Sequence, residues 1–326
     1  MFGIYFLRPH GAIRPVLGDF RTFLLGSPAR ARSKAARPNV PAYALPPSVP
    51  FKVIARCGLF TFVSVNAVFV GTTIWGFEHW RSKSLRLKDR LRRLNSQSIL
   101  HQARRKLESI LGRPFNANDI FWAIVACNLL VFIGCRSPLG STMFRFFTNS
   151  PYSPSPALSM LLSVFTHTSL LHLGINMYVL HSFAPTMIAT VGAGDFLSLF
   201  VGGGVFASFI SLLGKAAIRS PIPSLGASGG VCAILGAFCL LQPNARLCIP
   251  FLVDIFPHSF EASSTAWALL LFEAFAAYAL ASRSPLDHAA HMGGLLFGMY
   301  YGLSGSESIV KRRNAIIAWW RRIRGY

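Results

Sequence analysis

Long apolar runs alternate with short polar breaks along most of this chain. The apolar stretches cover about residues 57–77, 119–136, 169–190, 195–215, 228–242, 264–281 and 287–304. Each is near the length that carries a helix across a bilayer. No polar segment between them is long enough to make a soluble domain. The pattern predicts an all-α polytopic membrane protein, because a helix satisfies its own backbone N–H and C=O groups within lipid.

The polar breaks are uneven. RSKSLRLKDRLRRLNSQSILHQARRKLESILGRP, between the first two runs, has eleven Lys/Arg against Asp89 and Glu108. Leu87, Leu91 and Leu94 recur at helical spacing, as do Leu107, Ile110 and Leu111. This predicts short basic amphipathic helices lying on the membrane surface. The C-terminal VKRRNAIIAWWRRIRGY reads the same way, with Trp319 and Trp320 at the interface and arginines toward anionic headgroups. Residues 1–50 carry Arg8, Arg14, Arg21, Arg30, Arg32, Lys34 and Arg37 against one acid, Asp19, and have no long uninterrupted apolar core. That fits an organellar transit peptide, here mitochondrial, better than a secretory signal. The Pro-rich PNVPAYALPPSVP serves as a linker. The expected division is a transit peptide and linker (1–50), an additional N-terminal transmembrane helix (51–77), a basic connector (78–118), a membrane core (119–304) and a basic interfacial tail (305–326).

Composition agrees with the pattern. Of 326 residues, 52% are hydrophobic and 13% charged, about half the charged share of soluble chains. Lys+Arg number 32 against 11 Asp+Glu, for a net charge of +21. The basic runs flank apolar spans and no nucleic-acid fold signature appears, so the charge is assigned to juxtamembrane loops and not to nucleic acid. With the N-terminal side called X and the other Y, the 78–118 segment and the C-terminal tail both fall on Y. The X loops carry only Arg136 and Arg145, Lys215 and Arg219, and Arg283 against Asp287. The positive-inside rule then makes Y the matrix side. The six cysteines form no CxxC pair and read as small buried hydrophobes, not a disulfide framework or metal site.

Polar residues inside apolar spans are functional candidates. They are His167, His172 and Asn176 in FTHTSLLHLGINMYVL, Ser228 in SLGASGGVCAILG, Glu273 in LLFEAFAAY and His291 in DHAAHMGGLLFGMYYG. The alternation of sides puts Ser228, His291, His167 and His172 at shallow depth below X, with Glu273 deeper. Gly294 and Gly298 lie three and seven residues past His291, on its own helical face, and Gly226, Gly229, Gly230 and Gly236 thin the serine segment. Small residues let helices approach closely, as a Ser–His contact of about 2.6–3.2 Å requires. Ser228 then attacks a carbonyl and His291 takes its proton. His172 and Asn176 share a helical face, and both could donate to an oxyanion together with the Ser228 backbone N–H. His167 reads as a structural hydrogen-bonding histidine. Asp287 reads as the N-cap of the last helix, with a third position beside His291 as the other option. Glu273 has no assigned partner.

HTSLLHLGIN, GASGG and AAHMGG together resemble the rhomboid intramembrane serine proteases, over roughly residues 115–305. DHAAHMGGLLFG, MFRFFTNSP and the additional N-terminal span are similar to the presenilin-associated rhomboid-like subgroup of mitochondria. The resemblance implies a six-helix core with one added N-terminal helix (1+6). It implies a Ser228–His291 dyad, His172 and Asn176 in the oxyanion hole, and Gly226 and Gly229 as flanking motif glycines. It implies no cofactor and no metal. The substrates would be single-pass or few-pass transmembrane proteins cut within or near their helices, in the mitochondrial inner membrane. Lateral entry near the sixth span makes Trp267, Phe272 and Phe275 gate candidates. Two positions depart from the pattern of many relatives: Phe144 precedes Arg145 where a tryptophan is common, and Cys232 follows the serine by four where a tyrosine is common.

Competing readings make different demands. A catalytically inactive rhomboid relative acting as a binding or quality-control factor would have lost Ser228 or His291, and both are present. A transporter would place ionisable groups at several depths along one channel. A zinc peptidase would need HExxH spacing, which His167/His172 and His288/His291 lack.

Overall fold

The computed structural model describes residues 46–91, 117–248, 255, 258–280, 284 and 286–325. The expected transit peptide, apart from residues 46–50, lies outside the described residues, as does 92–116 of the connector. The elements in order are α1 (Phe51–Leu91), α2 (Asp119–Gly134), α3 (Gly140–Phe146) and α4 (Pro156–Leu162), which runs into a 3₁₀ turn (Ser163–Phe165). Then come α5 (Leu170–Val191), α6 (Ala193–Ala217), α7 (Ser228–Leu241), β1 (Arg246–Leu247), β2 (Phe260–Glu261), α8 (Ala262–Ala279), α9 (His288–Leu303) and α10 (Gly305–Arg324). The protein is mostly helical. The antiparallel β1–β2 pair, Arg246 opposite Glu261, was not expected from the apolar pattern and closes the turn between α7 and α8.

Helix α1 differs from the expected break near residue 77. It continues through Leu91, because Leu, Lys and Arg are good helix formers and no Pro or Gly follows Gly76 there. Three described helices are long and apolar enough to span a membrane alone: Phe51–Ser82 of α1, α6 and α8. A fourth is added if α4 and its 3₁₀ turn form one span with α5 across a 79° bend. Helices α2 and α7 are apolar but shorter. The 14 residues of α7 make a rod of about 21 Å, against roughly 30 Å of hydrocarbon.

Helix α6 is the hub. It packs against α1 on one side and against α7 and α9 on the other. Phe196, Leu199, Phe200, Val205 and Leu212 are fully covered there. Large apolar side chains elsewhere, among them Leu130, Ile133, Leu171, Leu271 and Tyr300, face outward, as a lipid solvent allows. Helices α7 and α9 meet backbone to backbone. A Cβ on Gly294 would run into the Gly229 carbonyl, one on Gly298 into the Ala233 carbonyl, and one on Gly236 would stand 2.7 Å from the Leu295 carbonyl. The glycine stripe on the histidine's face is therefore what lets the two helices touch.

An ion pair ties together the segments that lead into α7 and α9. Lys215 Nζ at the end of α6 donates to Asp287 Oδ2 at 2.9 Å, to Ser211 Oγ at 2.7 Å and to Ser224 Oγ. Asp287 caps α9 by accepting from the Ala290 N–H at 3.0 Å. Asn149 and Ser224 exchange backbone hydrogen bonds at 2.7 and 3.0 Å. The segment leading to α7 and the start of α9 are thus fastened to one ammonium. Lys215→Met leaves the Asp287 charge without its partner and is expected to cost about 3 kcal/mol. Thermal unfolding in detergent should show the loss, with part of it recovered in Lys215→Met/Asp287→Leu, which removes both charges. An unchanged melting temperature in the single variant would show that the pair contributes nothing.

Candidate active site

Ser228 is the first residue of α7. Gly226 makes this helix start possible: its φ of +131° is open to glycine, and a Cβ there would stand 3.0 Å from His172 Cε1 and 3.1 Å from Nε2. The Gly226 N–H is held by the Ser163 carbonyl at 2.9 Å, and the Ala227 N–H by His167 Nε2 at 3.4 Å. His167 is fully buried, and its Nδ1 has no partner among the described residues. It braces the loop before the serine and touches no carbonyl-attacking group.

His291 lies one turn into α9, and its Nε2 is 2.9 Å from Ser228 Oγ. That separation is what base-assisted attack needs. The packing that sets it is the glycine contact just below: Gly229 and Gly294 meet one residue after the serine and three after the histidine. His172 packs beside Gly226 and edge-on to His167, with ring centroids 4.9 Å apart. Its backbone N–H is capped by Ser169 Oγ at 3.1 Å. Asn176 sits one turn on, with Nδ2 donating to the His172 carbonyl at 2.9 Å. The amide has two hydrogens, so one remains for a ligand.

Glu273 is at the level of His291, not deeper as depth counting along the span suggested. Its Oε1 is 3.1 Å from His291 Nδ1 and its Oε2 is 2.6 Å from His288 Nδ1. His288 Nε2 is 2.9 Å from Ser284 Oγ. Neither His288 nor this pairing was foreseen. Two signals were available. His288 and His291 share a helical face at i, i+3, and Glu273 is six residues from the C-terminal end of α8, a rise of only about 9 Å. The Asp287 carboxylate turns the other way, to Lys215, and is not a partner of the His291 ring. The side chains of Glu273, His288 and His291 bring ligand-type atoms within 4.8 Å of one another. Both oxygens and both Nδ1 atoms are engaged in the hydrogen bonds just described, and the spacing is not that of HExxH. A cavity of about 530 Å³ lies elsewhere, between α1, the α5–α6 turn and α10, with Trp75, His79 and Arg313 among its walls.

Comparison with known proteins accords with this architecture. The rhomboid domain family model matches residues 155–308. The human mitochondrial presenilin-associated rhomboid-like protein is 33% identical over 284 residues, 86% of this chain and 74% of the relative. Yeast mitochondrial Rhomboid protein 1 is 36% identical over 160 residues, 48% of this chain and 44% of the relative. Rhomboid protease GluP of Bacillus subtilis is 24% identical over 217 residues, 64% of this chain and 39% of the relative. The chain belongs to the rhomboid family, whose function is of the intramembrane-protease type. Within the family it is similar to the presenilin-associated rhomboid-like proteins, and it is a mitochondrial multi-pass membrane protein.

Proposed function

We propose that this chain is an intramembrane serine endopeptidase of the mitochondrial inner membrane. It hydrolyses peptide bonds within or near transmembrane segments of other membrane proteins. The observation that carries the reading is the 2.9 Å contact between Ser228 Oγ and His291 Nε2 at the head of a glycine-packed helix. The architecture is a core of six crossings (119–304) preceded by the additional helix that begins at Phe51, with α10 as a basic interfacial tail. The presequence precedes the first crossing. Helix α7 supplies only part of its crossing, and the segment before Ser228 supplies the rest. With its far end at the Y interface, Ser228 lies about 9 Å below the X side, where water can reach it.

The reaction follows from the contacts. Ser228 Oγ attacks the substrate carbonyl carbon while its proton passes to His291 Nε2. The carbonyl π pair moves onto oxygen. That oxyanion is met by the free N–H groups at the start of α7, by His172 and by the second Asn176 hydrogen. Collapse expels the new amine, which takes the proton from His291, and leaves an acyl-Ser228 ester. Water, deprotonated by the same nitrogen, releases the acid and restores the serine. Gly226 keeps the space between His172 and Ser228 free of a side chain, while Gly229 lets α7 close on α6, where a Cβ would stand 2.6 Å from the Ala207 Cβ. A substrate helix must unwind to present its carbonyl, because its backbone groups are already paired. Lateral entry past α8 is consistent with Trp267, Phe272 and Phe275, which stand half or more exposed on its outer face.

The test is co-expression with a tagged single-span reporter carrying Ala, Gly and Ser near the X face. Wild type should release a fragment cut at that face, and Ser228→Ala should not. Binding without cleavage in both would favour the inactive binding-factor reading. Asn176→Ala should lower kcat about 100-fold with little change in KM, the size expected for one oxyanion donor. Wild-type turnover in that variant would remove Asn176 from the oxyanion site.

A further inference from the structure

We propose that Glu273, braced by His288, is a positioning residue that fixes the tautomer and orientation of His291, so that the site works as a Ser–His–Glu array and not as a dyad alone. The inference rests on the Ser228–His291 reading above. Proton placement carries it. Ser228 can give its proton only to a bare His291 Nε2, so the ring proton must sit on Nδ1. Glu273 Oε1, 3.1 Å away, is the acceptor that holds it there. With the proton on the other nitrogen, His291 would point an N–H at the serine oxygen and could not act as base.

The carboxylate is itself held. Its second oxygen lies 2.6 Å from His288 Nδ1, and His288 Nε2 lies 2.9 Å from Ser284 Oγ. Placing the proton of each imidazole on Nδ1 satisfies every contact. Ser284 O–H then donates to His288, both histidines donate to Glu273, and Ser228 O–H donates to His291. The tautomers follow from this network. Glu273 is the one charged residue of α8, and its side chain is only 13% exposed. A carboxylate there costs free energy unless hydrogen-bonded. Both of its oxygens are spent on imidazoles, and one of these is the base. Asp287 cannot substitute, since it is bound to Lys215. When His291 takes the serine proton, the imidazolium forms beside a fixed negative charge, which lowers the energy of that state. The carboxylate comes from α8 and the base from α9, so alignment of the base depends on α8 being seated against α9.

The test uses purified full-length protein and the membrane-embedded reporter. Wild type, Ser228→Ala, Glu273→Gln, Glu273→Asp and His288→Ala are compared for kcat, KM, melting temperature and the rate of Ser228 labelling by a fluorophosphonate. Glu273→Gln should lower kcat about 100-fold or more while KM stays within about threefold. Labelling should slow in parallel, because it uses the same base. Glu273→Asp keeps the charge and should regain about tenfold of the loss, and His288→Ala should lose about tenfold. A purely structural role would lower melting temperature and yield but leave kcat and labelling of the folded enzyme unchanged. That result, with Ser228→Ala inactive, overturns the positioning role alone. If Glu273→Gln does not fold, Glu273→Asp and His288→Ala decide on the same terms. Equal cleavage by wild type and Ser228→Ala overturns the underlying protease reading instead.

Discussion

Ser228→Ala is expected to lower reporter cleavage by at least about 10⁴-fold, and His291→Ala by nearly as much. The serine oxygen is the proposed nucleophile, and a methyl group has no lone pair to offer. The histidine loss is of similar size because an alcohol with its proton in place attacks an amide poorly, whatever its position. The two groups act as one unit, so Ser228→Ala/His291→Ala should fall no further than the worse single variant. An additive double variant would mean that the serine and histidine serve separate steps. The reporter should still bind all three, since none of these changes touches the outer face of α8. Cleavage is read by appearance of the fragment, and binding by co-purification of the uncut reporter with each variant.

Gly298→Leu should be the most damaging change away from the reacting atoms. A Cβ at this position would meet the Ala233 carbonyl, and would stand 2.8 Å from both the Ala233 carbonyl carbon and the Ala237 nitrogen. These are backbone atoms of α7, so no rotamer relieves the clash and the two helices must part. Overpacking of this kind costs typically about 1–3 kcal/mol and more where backbone must move. We expect a loss of about 3 kcal/mol or more and no cleavage, because separation of α7 from α9 also separates Ser228 from His291. Gly71→Ala is the contrast. Nothing lies within 4 Å of a Cβ there, and alanine favours a helix interior by about 1 kcal/mol. It should fold at least as well as wild type. Size-exclusion behaviour and thermal unfolding in detergent distinguish the two; equal stability would mean that the glycine contact does not set the α7–α9 distance.

Much of the candidate site is legible in the sequence. Ser228, His172, Asn176 and His291 stood out because each is a polar group in an apolar run, where its presence has a cost. Gly294 and Gly298 stood out because they repeat on the face of His291. The array around His291 was harder to read. Depth counted from span ends placed Glu273 too far from the X side, and His288 looked like a neighbour of no consequence. Asp287, next to His288 in the sequence, faces Lys215 on α6 instead.

The one-dimensional pattern is sufficient for whatever depends on local chemistry: a membrane solvent, apolar helices, and the small residues that allow close approach. It also marks helix starts, as at Gly226 and Asp287. The rotation of each helix about its axis and its shift along the membrane normal are another matter. Lipid is equally apolar on every side and does not choose between rotations. Contacts between residues far apart in the chain choose them: Gly294 on Gly229, Gly298 on Ala233, and Lys215 with Asp287. Once those are made, α8 can turn only one carboxylate toward two imidazoles, and that outcome belongs to the tertiary structure alone.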